Sequence, residues 1–406
     1  MVSSDISSPI ILRKFPYPYN AMLAIANDVD NEDINQFREL HRFLNTHEKT
    51  SMGDGLGLDV GDSFWMYGPE DETILTYWKG YGWSRENNAR EILRYIECGW
   101  IDSIHSYGDY NNAQNFTREH AVKALEELAK QNVRLKVWIN HGNFNNIQNF
   151  PGAFMAHKDH RHMQGDLPSS IAYHTDLTIP YGIQFVQDYT MYDEMGHESL
   201  LRPLSLWDGQ QIWGFRRLEA RKETFWRKAY RVLMDRLGIK AAFWLWYPEH
   251  LGEQLSQQNL DSIAANQQYS IIGQHMGIWR KSWPKSAIEG LQRLKAMSQA
   301  GQILVARLSR LLEYHRTHKY LKYRVDQVDD RVKINISSIE DPVCGAMVPF
   351  LEQIRGITFA NVAAPSKTTI CLNESEINEK EIVRSHDDNC IGVRWFESDF
   401  TDYSRL

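Results

Sequence analysis

Cysteine is scarce in this chain, and its few cysteines form no motif. Among 406 residues there are four, Cys98, Cys344, Cys371 and Cys390, and no two of them make a C-x-x-C pair. This scatter argues against a zinc knuckle and against a dense disulfide framework. We expect ordinary buried thiols in a protein of a reducing compartment.

Long apolar runs and basic runs are also absent. No stretch approaches the roughly 20 apolar residues of a membrane-spanning helix, and the N-terminus lacks the basic start and apolar core of a secretory signal. The formal net charge is -7, and no cluster of Lys and Arg marks a nucleic-acid partner. We therefore expect a cytoplasmic protein without a membrane span that does not bind nucleic acid. The sequence indicates no oligomeric state.

What is present is the composition of a large folded protein, with 42% hydrophobic and 24% charged residues. The length suits one domain of barrel size plus a smaller module. From Met22 to about Met276, short apolar runs alternate with amphipathic segments, which is typical of repeated strand and helix units. The predicted strands are 21–26, 100–104, 133–139, 241–247 and 269–272, and the predicted helices include 33–44, 89–96, 225–237 and 255–263.

The pattern changes after Met276. Residues 287–318 predict a helical stretch that can break near Gly301, and alternating segments from Arg331 onward predict a small antiparallel β module. The sequence thus predicts an α/β fold in three parts. These are a (β/α) barrel over 15–283, a helical extension over 284–328 and a β-rich module over 329–406.

Two acidic residues, Asp28 and Asp30, directly follow the first predicted strand. Alternate residues of an extended segment point the same way, so both carboxylates can face one cavity. His105 follows another predicted strand, and a helical turn or tight loop would bring Asp109 to the same side. One imidazole with two carboxylates suits Zn²⁺ or a related divalent metal with one position open for water.

These residues resemble the motifs of the polysaccharide deacetylase superfamily, the NodB-homology carbohydrate esterases. The run from Asn27 to Asp30 resembles the D-x-D form of the first motif, and the run from His105 to Asp109 matches the second, His-(Ser/Thr)-x-x-(His/Asp). His275 follows an apolar run, as a late motif of the family requires. The resemblance covers roughly residues 15 to 280. The family's arginine-proline motif after the third strand is missing.

The resemblance implies a distorted (β/α) barrel of the deacetylase type and a metal-dependent hydrolase. Asp30, His105 and Asp109 would hold the metal, Asp28 would be the catalytic base and His275 the catalytic acid. The implied substrate is an N-acetylated sugar of a bacterial surface polysaccharide or its precursor.

Other residues are predicted to line the cleft and bind the carbohydrate. Trp138, Asn140 and His141 lie where the missing motif would be, and His174 and Glu249 follow other apolar segments. His174 and Glu249 are equally explained as loop residues with local hydrogen bonds. The chain also has 13 Trp and 19 Tyr, whose flat faces suit sugar rings, although aromatic side chains also fill protein cores.

The candidate site residues also have less specific interpretations. A D-x-D pair also occurs in calcium loops, helix caps and glycosyltransferases, but the short segment before Asp28 leaves no room for a nucleotide-binding half. His105 with Asp109 also fits a structural pair, and His275 a hydrogen-bonded core histidine. The cluster from His157 to His162 predicts a solvated loop. The main rival, favoured by the missing arginine motif, is a catalytically silent carbohydrate-binding protein on the same fold.

Overall fold

The computed structural model describes residues 9–30, 32–70, 74–110, 116–141, 146–151, 163–187, 200–217, 247–277 and 282–406. Its strands, in chain order, are β1 (Ile11–Arg13), β2 (Ala21–Asn27), β3 (Lys49–Thr50), β4 (Gly53–Asp54), β5 (Gly61–Phe64), β6 (Ile101–His105), β7 (Val137–Ile139), β8 (Phe185–Gln187), β9 (Leu201–Ser205), β10 (Gln211–Phe215), β11 (Tyr269–Gln274), β12 (Ile303–Val305), β13 (Leu321–Val328), β14 (Arg331–Asp341), β15 (Gly345–Met347), β16 (Thr358–Ala360), β17 (Thr368–Leu372), β18 (Ser375–Glu376), β19 (Ile382–Ser385) and β20 (Cys390–Val393). The α-helices are α1 (Ile34–Asn45), α2 (Ala89–Cys98), α3 (Arg118–Lys130), α4 (Thr175–Tyr181), α5 (Pro248–Gln254), α6 (Gln257–Ala265), α7 (Lys285–Gln299) and α8 (Leu308–Tyr320).

The largest sheet has nine strands and curls into a half barrel. Its order is β11-β2-β5-β6-β7-β8-β10-β9, and β12 pairs with β2 beside β5. Neighbouring strands run parallel, except that β9 is antiparallel to β10. The mixed α/β prediction is therefore confirmed, with a curled half-barrel sheet and eight helices in the described part of the chain. Of the predicted elements, the helix at 225–237 and residues 241–246 of the next strand lie outside the described residues.

Local sequence signals account for the helix ends. Asp33 caps α1, because its side chain accepts from the backbone N–H groups of Asn35 at 2.7 Å and Gln36 at 2.9 Å. Gly99 ends α2 in the left-handed region at a φ of 83°, where its N–H donates to the Tyr95 carbonyl. The predicted helices at 33–44 and 89–96 are confirmed. None of the described helices has both the length and the apolarity needed to cross a membrane.

Strand β2 is buried on both faces, as a central parallel strand should be. Ala21, Leu23 and Ile25 face one core together with residues of α1, α5, α6 and α7. Met22 and Ala24 face a second core that includes residues of α8 and of the C-terminal strands. One face of the sheet at β2 is thus covered by α1, α5, α6 and α7, and the other by α8 and the C-terminal strands.

The region predicted as a helical extension contains a strand of the main sheet. Helix α7 ends near Gly301, which has a φ of 69°. The apolar run Ile303–Val305, predicted to be helical, instead forms β12 and pairs in parallel with Ala21 to Leu23. Three consecutive apolar residues fit both helical and extended periodicity, so packing beside β2 decides their conformation.

The C-terminal strands form two sheets. One has the order β13-β14-β17-β18, with β15 on β14, and the other has the order β1-β16-β20-β19. Strand formation after Arg331 is confirmed. The expected antiparallel arrangement is wrong at one pair, because β14 and β17 run parallel. The N-terminal strand β1 belongs to the second of these sheets.

Candidate metal centre

The side chains of the candidate site come from the carboxyl ends of neighbouring parallel strands. Asp28 and Asp30 follow β2, His105 is the last residue of β6, and His141 lies two residues beyond β7. Parallel strands place their carboxyl ends along one edge of a sheet, and ligands bind there in open α/β folds. The curl of the sheet brings these strand ends together.

Three of these side chains form a group that can hold a metal ion. One donor atom each from Asp30, His105 and His141 lies within 4.8 Å of the other two. His141 Nδ1 is 3.1 Å from Asp30 Oδ1 and 3.1 Å from His105 Nε2. Ligand atoms bound tetrahedrally to zinc at about 2.0–2.1 Å lie about 3.3 Å from one another. The observed spacing is therefore close to that of a zinc site.

Asp30 also carries a direct sign that the site fits a cation. Its Oδ2 atom is buried and has no hydrogen-bond partner among the residues that the structure describes. This oxygen faces His105 Nδ1 at 3.6 Å and His275 Nε2 at 3.4 Å. A buried carboxylate oxygen without a donor is costly, and a bound cation would satisfy it. Two imidazoles and one carboxylate are a donor set that zinc accepts.

Each imidazole is oriented by its second ring nitrogen. His105 Nδ1 lies 3.2 Å from the hydroxyl oxygen of Ser63. His141 Nε2 lies 3.4 Å from Asp109 Oδ1. Hydrogen bonds of this kind fix the tautomer of a metal-binding histidine and raise its basicity. They direct His105 Nε2 and His141 Nδ1 toward each other and toward the proposed ion.

This geometry differs from the sequence-based assignment. His141, predicted to bind substrate, takes the third ligand position, and Asp109, predicted to be a ligand, lies behind His141 in neither group of potential ligands. The segment after His105 is not a helical turn, because Ser106 has a φ of 50° and Gly108 forms an isolated bridge with Tyr67. The Asp109 carboxylate therefore approaches the far side of the His141 ring.

The charges of the group favour a positive ion between its members. Burial would lower the pKa of His141, but the carboxylates of Asp30 and Asp109 raise it to about 10. Burial would raise the pKa of Asp30, but His141, His105 and His275 hold it well below its usual range. Burial lowers the pKa of His105 well below its usual value. The carboxylates thus attract a positive charge, which a metal ion supplies in place of a proton.

A second possible ligand group, Asp28, Asp30 and His275, shares Asp30 with the first. Arg217 decides between the two groups. Its Nη2 donates to Asp28 Oδ1 at 2.5 Å, and both side chains are almost completely buried. A guanidinium so close to Asp28 repels a second cation. Of the two groups, Asp30, His105 and His141 could therefore hold an ion more readily.

Asp28 and His275 lie beside this ligand group. The charge of each of these two side chains acts on the other. His275 Nε2 is 3.8 Å from Asp28 Oδ2. Burial raises the pKa of Asp28, and Arg217 and His275 oppose this rise. Burial would lower the pKa of His275, but Asp30 and Asp28 raise it above its usual value. The pair thus places one carboxylate and one imidazole next to the ligand group.

Most of the residues predicted to bind substrate lie elsewhere. Trp138 and His174 are completely buried in an aromatic cluster. His174 donates from Nε2 to the Gln148 carbonyl at 2.8 Å and accepts at Nδ1 from Thr178 at 2.7 Å. Asn140 is also buried and bonded to the Phe150 and Gln187 carbonyls. These three side chains are structural.

The remaining polar candidates are either exposed or undescribed. Glu249 is exposed in the first turn of α5. The cluster of His157, Asp159, His160 and His162 lies outside the described residues.

Sequence reasoning missed Arg217. It follows β10 in a region without clear periodicity and is 189 residues from its partner Asp28. No local motif marks it. Arg217 thus reaches Asp28 from a different strand of the sheet.

Comparisons of this chain with protein-family models, with curated proteins and with solved structures found no match.

Proposed function

We propose that this protein is a zinc-dependent carbohydrate deacetylase on a distorted (β/α) barrel of the polysaccharide deacetylase type. It removes an acetyl group from an N-acetylated sugar, in a cytoplasmic precursor of a surface polysaccharide. The observation that carries the proposal is the convergence of Asp30, His105 and His141 within 4.8 Å, with Asp28 and His275 beside them.

The proposed ion supplies two effects when bound: it polarises an acetyl carbonyl and lowers the pKa of water toward about 7. The protein supplies the proton transfers. Asp28 accepts a proton from the attacking water, and Arg217 holds the Asp28 carboxylate in one orientation. His275, whose charged form is favoured by Asp28 and Asp30, donates a proton to the leaving amine. An amine leaves poorly without that proton.

Two features support a hydrolase over a silent carbohydrate-binding protein. The segment after the third strand, which favoured the silent alternative, contributes His141 to the ligand group. Arg217 pairs with Asp28 although the expected arginine motif is missing. A protein that only binds sugar has no need for a buried carboxylate clamped by arginine next to a cation site. Desolvated charged groups of this kind are typical of catalytic sites.

An exposed tryptophan, Trp83, suits a sugar substrate. Trp83 is 52% exposed, which is unusual for so large a ring. It lies two residues after Tyr81, whose hydroxyl donates to the Asp109 carbonyl at 2.7 Å. Exposed indole faces pack against the apolar faces of sugar rings.

The test combines metal analysis with an acetate-release assay on N-acetylglucosamine oligosaccharides. We expect about one zinc per chain and acetate release that falls at least about 1,000-fold in Asp28→Asn, which keeps the zinc. Bound zinc without Asp28-dependent acetate release would favour the silent alternative. Unchanged zinc content in both Asp30→Ala and His105→Ala would contradict the metal assignment.

A further inference from the structure

Asn27 is buried at the end of β2, directly before the first aspartate of the site, and is only 2% exposed. Its Oδ1 accepts from the backbone N–H of Met276 at 2.5 Å. Its Nδ2 donates to Asp62 Oδ2 at 2.5 Å and to Glu32 Oε2 at 3.4 Å. Both the acceptor and the donor end of this amide are therefore used.

Residues 27 and 28 bind the backbone on either side of His275. Strand pairing between β2 and β11 ends with the Asp28 N–H donating to the Gln274 carbonyl at 2.8 Å. Two residues further along the chain, the Met276 N–H donates to Asn27 Oδ1. His275 lies between these two bonds, so its backbone is held before and after by residues 27 and 28.

We propose that Asn27 is a positioning residue: its side-chain amide fixes the segment around Met276 and thereby holds His275 at its distance from Asp28 and Asp30. The proposal rests on the proposed function in assigning proton transfer to His275. A backbone segment that leaves a sheet is free to shift unless a second bond holds it. Errors of about 1 Å in the placement of a reacting group cost roughly 100-fold in rate.

The orientation of Asn27 is itself fixed by a buried network. Asp62 Oδ1 accepts from its neighbour's N–H, that of Ser63, at 2.7 Å, which leaves Oδ2 for the Asn27 amide. His41 Nε2 lies 3.5 Å from the same Oδ2. Reversing the Asn27 amide would direct its oxygen at two carboxyl groups and its NH₂ at the Met276 N–H. The amide therefore has one acceptable orientation.

The segment after Met276 is tightly packed. A Cβ atom built on Gly277 would lie 2.5 Å from the Glu32 side chain, so the chain after Met276 passes directly against it. Glu32 is completely buried and receives the Asn27 amide. The network thus supports both the hydrogen bond from Met276 to Asn27 and the Glu32 side chain against which the segment packs.

The test uses Asn27→Leu and the exchanged pair Asn27→Asp with Asp62→Asn. Leucine at position 27 removes the acceptor of the Met276 N–H. The exchanged pair restores that acceptor and again gives one amide donor and one carboxylate acceptor between positions 27 and 62. The matched control is Asn335→Leu. Asn335 is an equally buried asparagine of β14, and its Nδ2 donates to Glu374 Oε1 at 2.7 Å in the C-terminal sheet, outside the network around Asn27.

Three readouts are needed: zinc content, kcat and KM for acetate release, and hydrogen exchange of the Met276 amide. In Asn27→Leu we expect wild-type zinc content, exchange about 10-fold faster or more, and kcat about 100-fold lower at nearly unchanged KM. The exchanged pair should recover exchange and most of kcat. Asn335→Leu should leave all three at wild-type values.

The proposal is overturned if Met276 exchanges at the wild-type rate in Asn27→Leu, or if the exchanged pair recovers neither exchange nor kcat. If Asn27→Leu does not fold, the single variant Asn27→Asp compared with the exchanged pair decides the same question. A wild-type protein without acetate release would contradict the proposed function alone. Met276 exchange would still decide whether Asn27 holds this segment.

Discussion

Arg217 and Asp28 form an ion pair at 2.5 Å although 189 residues separate them in sequence. Both side chains are almost completely buried, so neither charge is compensated by water. The pair joins the ends of β10 and β2 at the candidate metal centre. The pair therefore affects both the stability of the fold and the charge of the proposed base, Asp28.

The first prediction concerns the removal of one partner of this pair. Arg217→Met should lower the free energy of unfolding by about 3–5 kcal/mol, because it removes the closest partner of the buried Asp28 charge and leaves only His275 at 3.8 Å. The double variant Arg217→Met with Asp28→Asn should recover much of that loss, since both charges are gone. Urea unfolding in the presence of a chelator would measure both. Additive losses in the double variant would show that the two residues are energetically independent.

The second prediction separates the metal ligand His141 from its neighbour Asp109. His141→Ala should abolish zinc binding, whereas Asp109→Asn should weaken it by only about 10- to 100-fold, because Asp109 acts through a hydrogen bond to the ring. Competition with a fluorescent chelator would measure the affinities. Glu126→Gln, an exposed residue of α3 paired with Lys123, is the control. A loss in Asp109→Asn as complete as in His141→Ala would make Asp109 a direct ligand.

The sequence predicts those parts of the fold that depend on local signals. The cap at Asp33 and the left-handed Gly99 mark helix ends without tertiary information. Strand β5 carries no such signal, because Gly61, Asp62 and Ser63 precede its single large apolar residue. Its polar residues Asp62 and Ser63 are buried, and they form hydrogen bonds with Asn27 and His105. Periodicity does not detect a strand of that kind.

The candidate site is predictable in composition but not in detail. Asp28, Asp30, His105 and His275 are recognisable because each follows an apolar strand and the strand ends share one edge. The choice of His141 over Asp109 depends on the turn at Ser106, which no residue pattern reveals. The Arg217 contact depends on strand order in the sheet, which brings distant segments together.

The third prediction concerns pH and His174, which is buried and away from the site. Burial lowers its pKa from 6.5 to about 4, so the folded protein keeps the ring neutral where the unfolded chain binds a proton. The contribution of His174 to stability is complete above pH 6.5 and is lost as pH falls toward 4. The loss reaches about 3 kcal/mol, since each tenfold change in proton affinity is worth about 1.4 kcal/mol.

Urea unfolding between pH 7.5 and 4 would check this pH dependence. His174→Gln should be less stable at neutral pH but should lose less stability on acidification than the wild type. Replacement of His386, which is exposed to water, serves as the control. Equal pH dependence in wild type and His174→Gln would show that another group causes the acid sensitivity.

The last prediction concerns Asp341, which joins the C-terminal strands to the main sheet. Its carboxylate accepts from Trp213 Nε1 at 3.1 Å and from the backbone N–H groups of Val343 at 2.8 Å and Cys344 at 2.9 Å. Asp341→Ala leaves the buried Trp213 N–H and two partly buried backbone N–H groups without this acceptor. The loss at Trp213 alone costs about 1–3 kcal/mol. Because residues of the main sheet and of the C-terminal strands share one core cluster, the whole chain should lose stability in one transition. Thermal unfolding should show a lower midpoint without a second step, whereas Glu376→Ala, on an exposed strand, should change little. A separate early transition would instead show that the C-terminal strands unfold as an independent unit.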